Sequence, residues 1–321
     1  LFDGNPAVDR KVEALKQGAR TELAQIDAMG GAVAAIDYMK GRLVEANAER
    51  IARVESGETT VVGVNRWTEA APSPLTAGDG AIMLADPDAE ADQIARLDQW
   101  RARRDPAAVA AALAALRSDA ASGANIMPAS IAAARAGVTT GEWGTTIRSA
   151  FGESRAPTGV SKNRSNRTEG LEPIRAAVQQ VSARLGRPLS FLVGKPGLDG
   201  HSNGAEQIAA RARDCGMEIH YEGIRLTPAE IVAAAIEQQA HVIGLSILSG
   251  SHMSLVAEVL ERMRREGIEA PLVIGGIIPE EDATRLRALG VAAVYTPKDF
   301  ELNRIMLDIV GLVDAEAVAA A

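Results

Sequence analysis

The stretch Gly194-Lys195-Pro196-Gly197-Leu198-Asp199-Gly200-His201-Ser202-Asn203-Gly204 decides how the rest of the chain is read. Before it, Leu189-Ser190-Phe191-Leu192-Val193 is a short apolar run bounded by proline and glycine, the pattern of a buried parallel strand. After it, Ala205, Ile208, Ala209 and Ala212 recur at helical spacing as far as Cys215. The stretch is therefore the loop at the carboxyl end of a first strand, where open α/β sheets bind their ligands. Asp199 and His201 stand two residues apart, and in extended backbone such residues face the same side. A carboxylate so placed accepts a proton from one imidazole nitrogen and leaves the other free for a metal.

Two familiar loop types are excluded by spacing. A phosphate loop needs Gly-Lys followed by Ser or Thr, and here Pro196 follows Lys195. A dinucleotide loop needs G-x-G-x-x-G, which Gly197, Gly200 and Gly204 do not provide. What remains is D-x-H-x-x-G, made by Asp199, His201 and Gly204. A single loop histidine is commonly just solvated, so the later strand ends have to decide its role.

Five strand patterns alternate with five helices in the second half. The strands are read at 189–193, 218–221, 241–246, 272–275 and 292–295. Thr227-Pro228-Ala229-Glu230 opens the second helix with an N-cap, a first-turn proline and a reciprocal acid, and Pro279-Glu280-Glu281 opens the fourth. Such alternation gives a doubly wound, flavodoxin-like parallel sheet in the order 2-1-3-4-5. Right-handed crossovers then bring the first, third and fourth strand tips side by side.

The third tip, Ser246-Ile247-Leu248-Ser249-Gly250-Ser251, carries hydroxyls, and the fourth ends in Gly275-Gly276. Each taken singly is ordinary turn chemistry. Together they describe a slot: missing side chains at Gly204, Gly275 and Gly276 admit a flat heterocycle, and the Ser246 hydroxyl meets its polar nitrogen.

Composition narrows the class. The 321 residues are 47% hydrophobic, enough for two domains with cores, yet only 3% aromatic. A net charge of −8 argues against a nucleic-acid surface. One cysteine, Cys215, excludes a disulfide framework and a zinc cluster and suits the reducing cytoplasm. The longest apolar stretch, 107–116, is too short to span a bilayer, and no signal peptide is recognised. The first residue is Leu, which suggests a piece of a longer polypeptide.

The first half, 1–158, reads as helical. Val12, Leu15, Ala19, Leu23 and Ile26 share one helical stripe up to Gly30-Gly31, and Val33, Ile36, Met39, Leu43 and Ala46 continue in a second helix ending near Gly57. Residues 59–64 read as a short extended piece. Residues 65–86 are irregular, with Pro72, Pro74, Gly78 and Gly80, a length that suits wrapping a neighbouring domain. Helices resume at 89–104, 107–121 and 129–136, and Thr139-Thr140-Gly141-Glu142 is a capping box before Trp143, Ile147 and Phe151. Trp67, Trp100 and Trp143 read as packing residues, and this half shows no catalytic constellation. Residues 159–185 connect the halves through a Ser/Asn/Arg-rich linker and a helix from Leu171 to Leu185, and 186–321 form the second domain.

The three tips together, D-x-H-x-x-G then S-x-L then G-G, resemble the signature of the cobalamin-binding domain. The longer string from Gly194 to Ile208 resembles the adenosylcobalamin-dependent acyl-CoA mutases. Ser202-Asn203, the segment Tyr295-Thr296-Pro297-Lys298-Asp299 and the first-half segments Phe151-Gly152-Glu153 and 156–160 resemble the ethylmalonyl-CoA mutase group within that family. Methylmalonyl-CoA mutases usually carry an acid and an arginine at 202 and 203. The resemblance implies an isomerase that rearranges the carbon skeleton of ethylmalonyl-CoA to methylsuccinyl-CoA by radical chemistry.

His201 would be the lower cobalt ligand, with Asp199 and Lys195 behind it. Gly200, Ser202 and Gly204 would hold the cofactor in the loop. Ser246, Leu248, Ser249, Gly275 and Gly276 would line the pocket for the displaced nucleotide tail, with Tyr295 and Thr296 at its far side. The acyl-CoA would bind in a (β/α) barrel lying before Leu1, so this chain carries no catalytic residue of its own, binds cobalamin and turns over nothing unaided. A cytoplasmic homodimer is the family's expected state.

Two other readings share the signature. A corrinoid methyl-carrier also places helices before such a domain, though as a compact bundle without a Pro/Gly-interrupted segment like 65–86. A cobalamin sensor is the other. Among the remaining histidines, His220 and His241 read as core or rim residues, while His252 starts a helix beside the slot and could face the cofactor.

Overall fold

The computed structural model describes residues 4–69, 88–153 and 170–319. Five strands form one parallel sheet in the order β2-β1-β3-β4-β5. They are β1 (Ser190–Gly194), β2 (Glu218–Tyr221), β3 (Val242–Ile247), β4 (Leu272–Gly276) and β5 (Ala293–Tyr295). The expected flavodoxin-like order is the observed one, with every strand end within one residue of its reading. Every residue of β1 is buried, as is every residue of β3 but Ser246. That is why they are unbroken apolar runs: a central strand of a parallel sheet has helices on both faces.

Alternate residues of each strand feed two cores. Phe191, Val193, Val242 and Val273 pack against α7 (Glu172–Leu185), α8 (Asn203–Asp214) and α12 (Leu302–Ala319). Leu192, Ile243, Leu245 and Ile274 pack against α9 (Pro228–Glu237), α10 (His252–Glu266) and α11 (Glu280–Leu289). The start of α9 is fixed by the expected capping box, in which Thr227 Oγ1 accepts from the Glu230 amide and Glu230 accepts from the Thr227 amide.

By compactness the chain falls into two units. Leu1–Glu69 groups with Ala156–Ala321, and Ala70–Arg155 forms a second unit. In the first unit, α1 (Pro6–Ala28) has no buried residue, and Leu15 and Leu23 of its apolar stripe lie exposed. By contrast α2 (Ile36–Glu55) packs onto α8. Gln207 Nε2 donates 3.0 Å to the Val44 carbonyl, and the Leu302 amide donates 2.8 Å to Glu55.

The 59–64 piece is not a strand. Asn65 takes its backbone groups instead, accepting from the Val61 amide and donating to the Val54 and Thr59 carbonyls, so a turn forms. Trp67 is also not a packing residue: it is 68% exposed, with the Arg66 guanidinium over its ring.

The second unit holds α3 (Ala89–Arg103), α4 (Pro106–Ser122), α5 (Met127–Arg135) and α6 (Thr140–Phe151). Trp100, itself 54% exposed, donates from Nε1 to the Gly137 carbonyl, and the half-buried Trp143 donates from Nε1 to Ser130. Residues 70–86 of the irregular segment, the 156–160 resemblance and the 159–168 linker lie outside the described residues. No described helix is long and apolar enough to cross a membrane.

Candidate functional site

The loop after β1 is pinned from its own ends. Lys195 is fully buried, which would be prohibitive for a lone ammonium, and its Nζ donates 2.7 Å to Asp199 and 3.3 Å to the Ser246 carbonyl. Asp199 is nearly buried too, and its four lone-pair positions are all used. Oδ2 accepts from Lys195 and from the Leu248 amide at 3.1 Å. Oδ1 accepts from the His201 amide at 3.0 Å and lies 2.6 Å from His201 Nδ1. Burial by itself would push this carboxyl's pKa up; the bonds from Lys195, His201 and Leu248 outweigh it and hold the group well below the usual carboxylate range.

An ionised carboxylate can only accept, so His201 Nδ1 carries the proton. The lone pair of the neutral ring is then on Nε2, which has no partner among the described residues, on a side chain 79% exposed. The loop offers one imidazole aimed outward, with its tautomer fixed. No described group of three or more His, Cys, Asp or Glu could hold a metal ion. A metal taken here must bring most of its ligands with it, as a macrocycle does.

Beside the loop a cavity of about 400 Å³ opens between the sheet and α8 and α12. Its walls include Gly204, Ser246, Leu248, Gly275, Gly276, Tyr295 and Thr296. Three observations fit a bound ring system. A Cβ built on Gly275 meets nothing within 4 Å, and one on Gly204 meets only Ser246 Oγ at 3.8 Å. The Phe191 ring occupies the space a Gly244 Cβ would need, forming a flat apolar floor. Tyr295, another residue of the cavity lining, has its hydroxyl buried without a partner.

Other predicted residues stand apart from the cavity. Gly200 and Ser202 belong to the loop, and Ser249 turns to Ser251, with 2.8 Å between hydroxyls. His252 does not face the slot. It is buried, with Nε2 2.9 Å from Asp282, because α11 brings that acid over the start of α10. His241 Nδ1 accepts from the Ser190 amide, and burial, then Arg187, lowers its pKa. His220, partly buried on edge strand β2, stays a rim residue.

The sequence missed the cavity's outer wall. Asn47, Arg50, Ile51 and Val54 of α2, with Val61 and Val64 of the following turn, close the side facing away from the sheet. Helical periodicity marks that α2 has an apolar face; nothing in the pattern says what the face covers.

Residues 4–153 match the family described as methylmalonyl-CoA mutase, and residues 189–300 match the B12 binding domain. An ethylmalonyl-CoA mutase from Cereibacter sphaeroides is 78% identical over 320 residues, covering 100% of this chain and 49% of its own length. Another, from Methylorubrum extorquens, is 54% identical over 318 residues, covering 98% of this chain and 46% of its own. The methylmalonyl-CoA mutase of Cereibacter sphaeroides is 34% identical over 302 residues. The chain spans about half the length of the curated relatives it matches. Along its whole length the chain is thus similar to ethylmalonyl-CoA mutases, with a helical region followed by a B12-binding domain.

Proposed function

We propose that this chain is the cofactor-holding part of an adenosylcobalamin-dependent mutase that isomerises ethylmalonyl-CoA to methylsuccinyl-CoA. The observation that carries the reading is the Lys195–Asp199–His201 relay standing beside a glycine-walled cavity. Identities of 78% and 54% to ethylmalonyl-CoA mutases, against 34% to a methylmalonyl-CoA mutase, favour that substrate.

Adenosylcobalamin supplies the radical chemistry of carbon-skeleton rearrangement when bound. The chain's own residues hold it. His201 Nε2 would ligate the cobalt, while Asp199 keeps the proton on Nδ1 and so the lone pair on Nε2. Lys195 keeps Asp199 anionic in a buried place and spans the loop to the end of β3. Ser246, Leu248, Gly275 and Gly276 would sheathe the nucleotide tail, with Tyr295 and Thr296 beside it. With a cofactor held on His201, its opposite face would need cover, since radical chemistry demands that water be kept out. A barrel from the other half of the protein is the natural cover and the place for the acyl-CoA. The exposed apolar stripe of α1 suits contact with it. We read the assembly as a cytoplasmic homodimer, in keeping with the free, buried Cys215.

The test is an absorption spectrum of the chain with adenosylcobalamin. The expected result is the histidine-bound spectrum, lost in His201→Ala. An unchanged spectrum in that variant means the cofactor's own base ligates cobalt, and the site assignment falls. Joined to the remainder of the protein, the chain should support turnover of ethylmalonyl-CoA over methylmalonyl-CoA.

A further inference from the structure

One face of α2 carries Lys40, Val44, Asn47, Ile51 and Val54, spaced by four, three, four and three residues. Its C-terminal part walls the cavity through Asn47, Arg50, Ile51 and Val54. Its N-terminal part reaches the loop: Lys40 Nζ donates 2.8 Å to Glu206 and 3.1 Å to the Ser202 hydroxyl. Ser202 is the next residue after His201, and Glu206 lies in the first turn of α8, which the loop feeds. The Glu206 side chain is 3% exposed, so water cannot replace Lys40 as its partner. Gln207, the next residue, donates to the Val44 carbonyl and ties the same two helices again.

From these contacts we propose that α2 is a working part of the cofactor site, with Lys40 the positioning residue that holds the His201 loop through Ser202 and Glu206. The loop's inner end is held by Lys195 within the domain, and at its outer end the Ser202 and Glu206 side chains are held from α2. Asp199 orients the imidazole about its ring; Lys40 sets where the backbone after it runs. The same helix closes the tail cavity, so an α2 that is out of place disturbs both the ligand and the slot. This inference rests on the reading of the site as a cobalamin site and extends it to residues before the B12-binding domain.

The experiment compares wild type with Lys40→Met, Lys40→Arg and the exchange pair Lys40→Glu with Glu206→Lys, alone and together, all in the full chain. Three readouts are taken: adenosylcobalamin affinity, the share of histidine-bound against tail-bound spectrum, and amide hydrogen exchange over residues 200–206 without cofactor. Lys40→Met should bind about tenfold more weakly, the scale of one charge-assisted hydrogen bond. It should also shift the spectrum toward tail-bound and speed exchange in the loop. Lys40→Arg should recover the wild-type spectrum, and the double exchange should recover more than either single change. A Lys40→Met chain with wild-type affinity, spectrum and exchange overturns the proposal, as does a double exchange no better than its singles. If the wild type itself gives no histidine-bound spectrum, the cobalamin reading fails instead. The exchange measurement still decides whether Lys40 orders the loop.

Discussion

Gly276 runs so close to Ile247 that a Cβ on it would lie 1.9 Å from the Ile247 carbonyl oxygen. The two residues are register partners in adjacent strands, so neither can retreat without opening the sheet. Gly276→Ala should therefore lower stability by at least about 2 kcal/mol, since the contact is with backbone and no rotamer relieves it. Denaturant titration checks this. A midpoint equal to that of wild type sinks the claim that this glycine is required by the fold.

Its neighbour is glycine for a different reason. A Cβ on Gly275 meets nothing within 4 Å, and the residue lines the cavity. Gly275→Leu should keep the wild-type unfolding midpoint to within about 1 kcal/mol, as substitutions outside packed contacts do. It should nonetheless lose adenosylcobalamin, because the side chain fills the slot. Calorimetric titration beside a melting curve separates the two glycines: one variant fails to fold well, the other folds and fails to bind.

Lys195 and Asp199 are a buried pair whose separation should be costly. Lys195→Met leaves an uncompensated carboxylate in the interior, at an expected loss of about 3 kcal/mol. Adding Asp199→Asn replaces that charge with a neutral amide, so the double variant should be more stable than Lys195→Met alone. A double variant that is weaker still would mean Asp199 has other support, and the two bonds to its Oδ2 would need to be reweighed.

The sheet was legible because buried parallel strands leave no choice of residue: Phe191, Leu192 and Val193 face helices on both sides. The loop chemistry was legible because Asp199 and His201 act through residues within the loop and at one neighbouring strand tip. Lys40 and the α2 wall were not, since their partners lie about 160 positions away and a helix's apolar stripe names no partner. His252 misled because a helix start beside the slot looks like a ligand position until Asp282, on another helix, is seen to take its ring. The 59–64 piece misled because its apolar residues resemble a strand, while the side chain that organises them, Asn65, comes after it.

The helical unit formed by α3–α6 has its own pH signature, away from the cofactor loop. Glu142 accepts from both the Thr139 amide and Arg104, and its pKa falls to about 2, chiefly through Arg104 and then the Thr139 amide. A carboxyl lowered in the folded state stabilises the fold above its unfolded pKa, near 4.5, and loses that contribution as pH falls toward 2. The pair is partly solvated, so its worth is about 1 kcal/mol rather than the full shift. Glu142→Gln should lower stability by that amount at pH 7 and converge on wild type near pH 2. Unfolding of the chain at pH 7, 4 and 2, followed by helical signal, measures it. Parallel curves across that range, with no convergence, would rule out Glu142 as the titrating group.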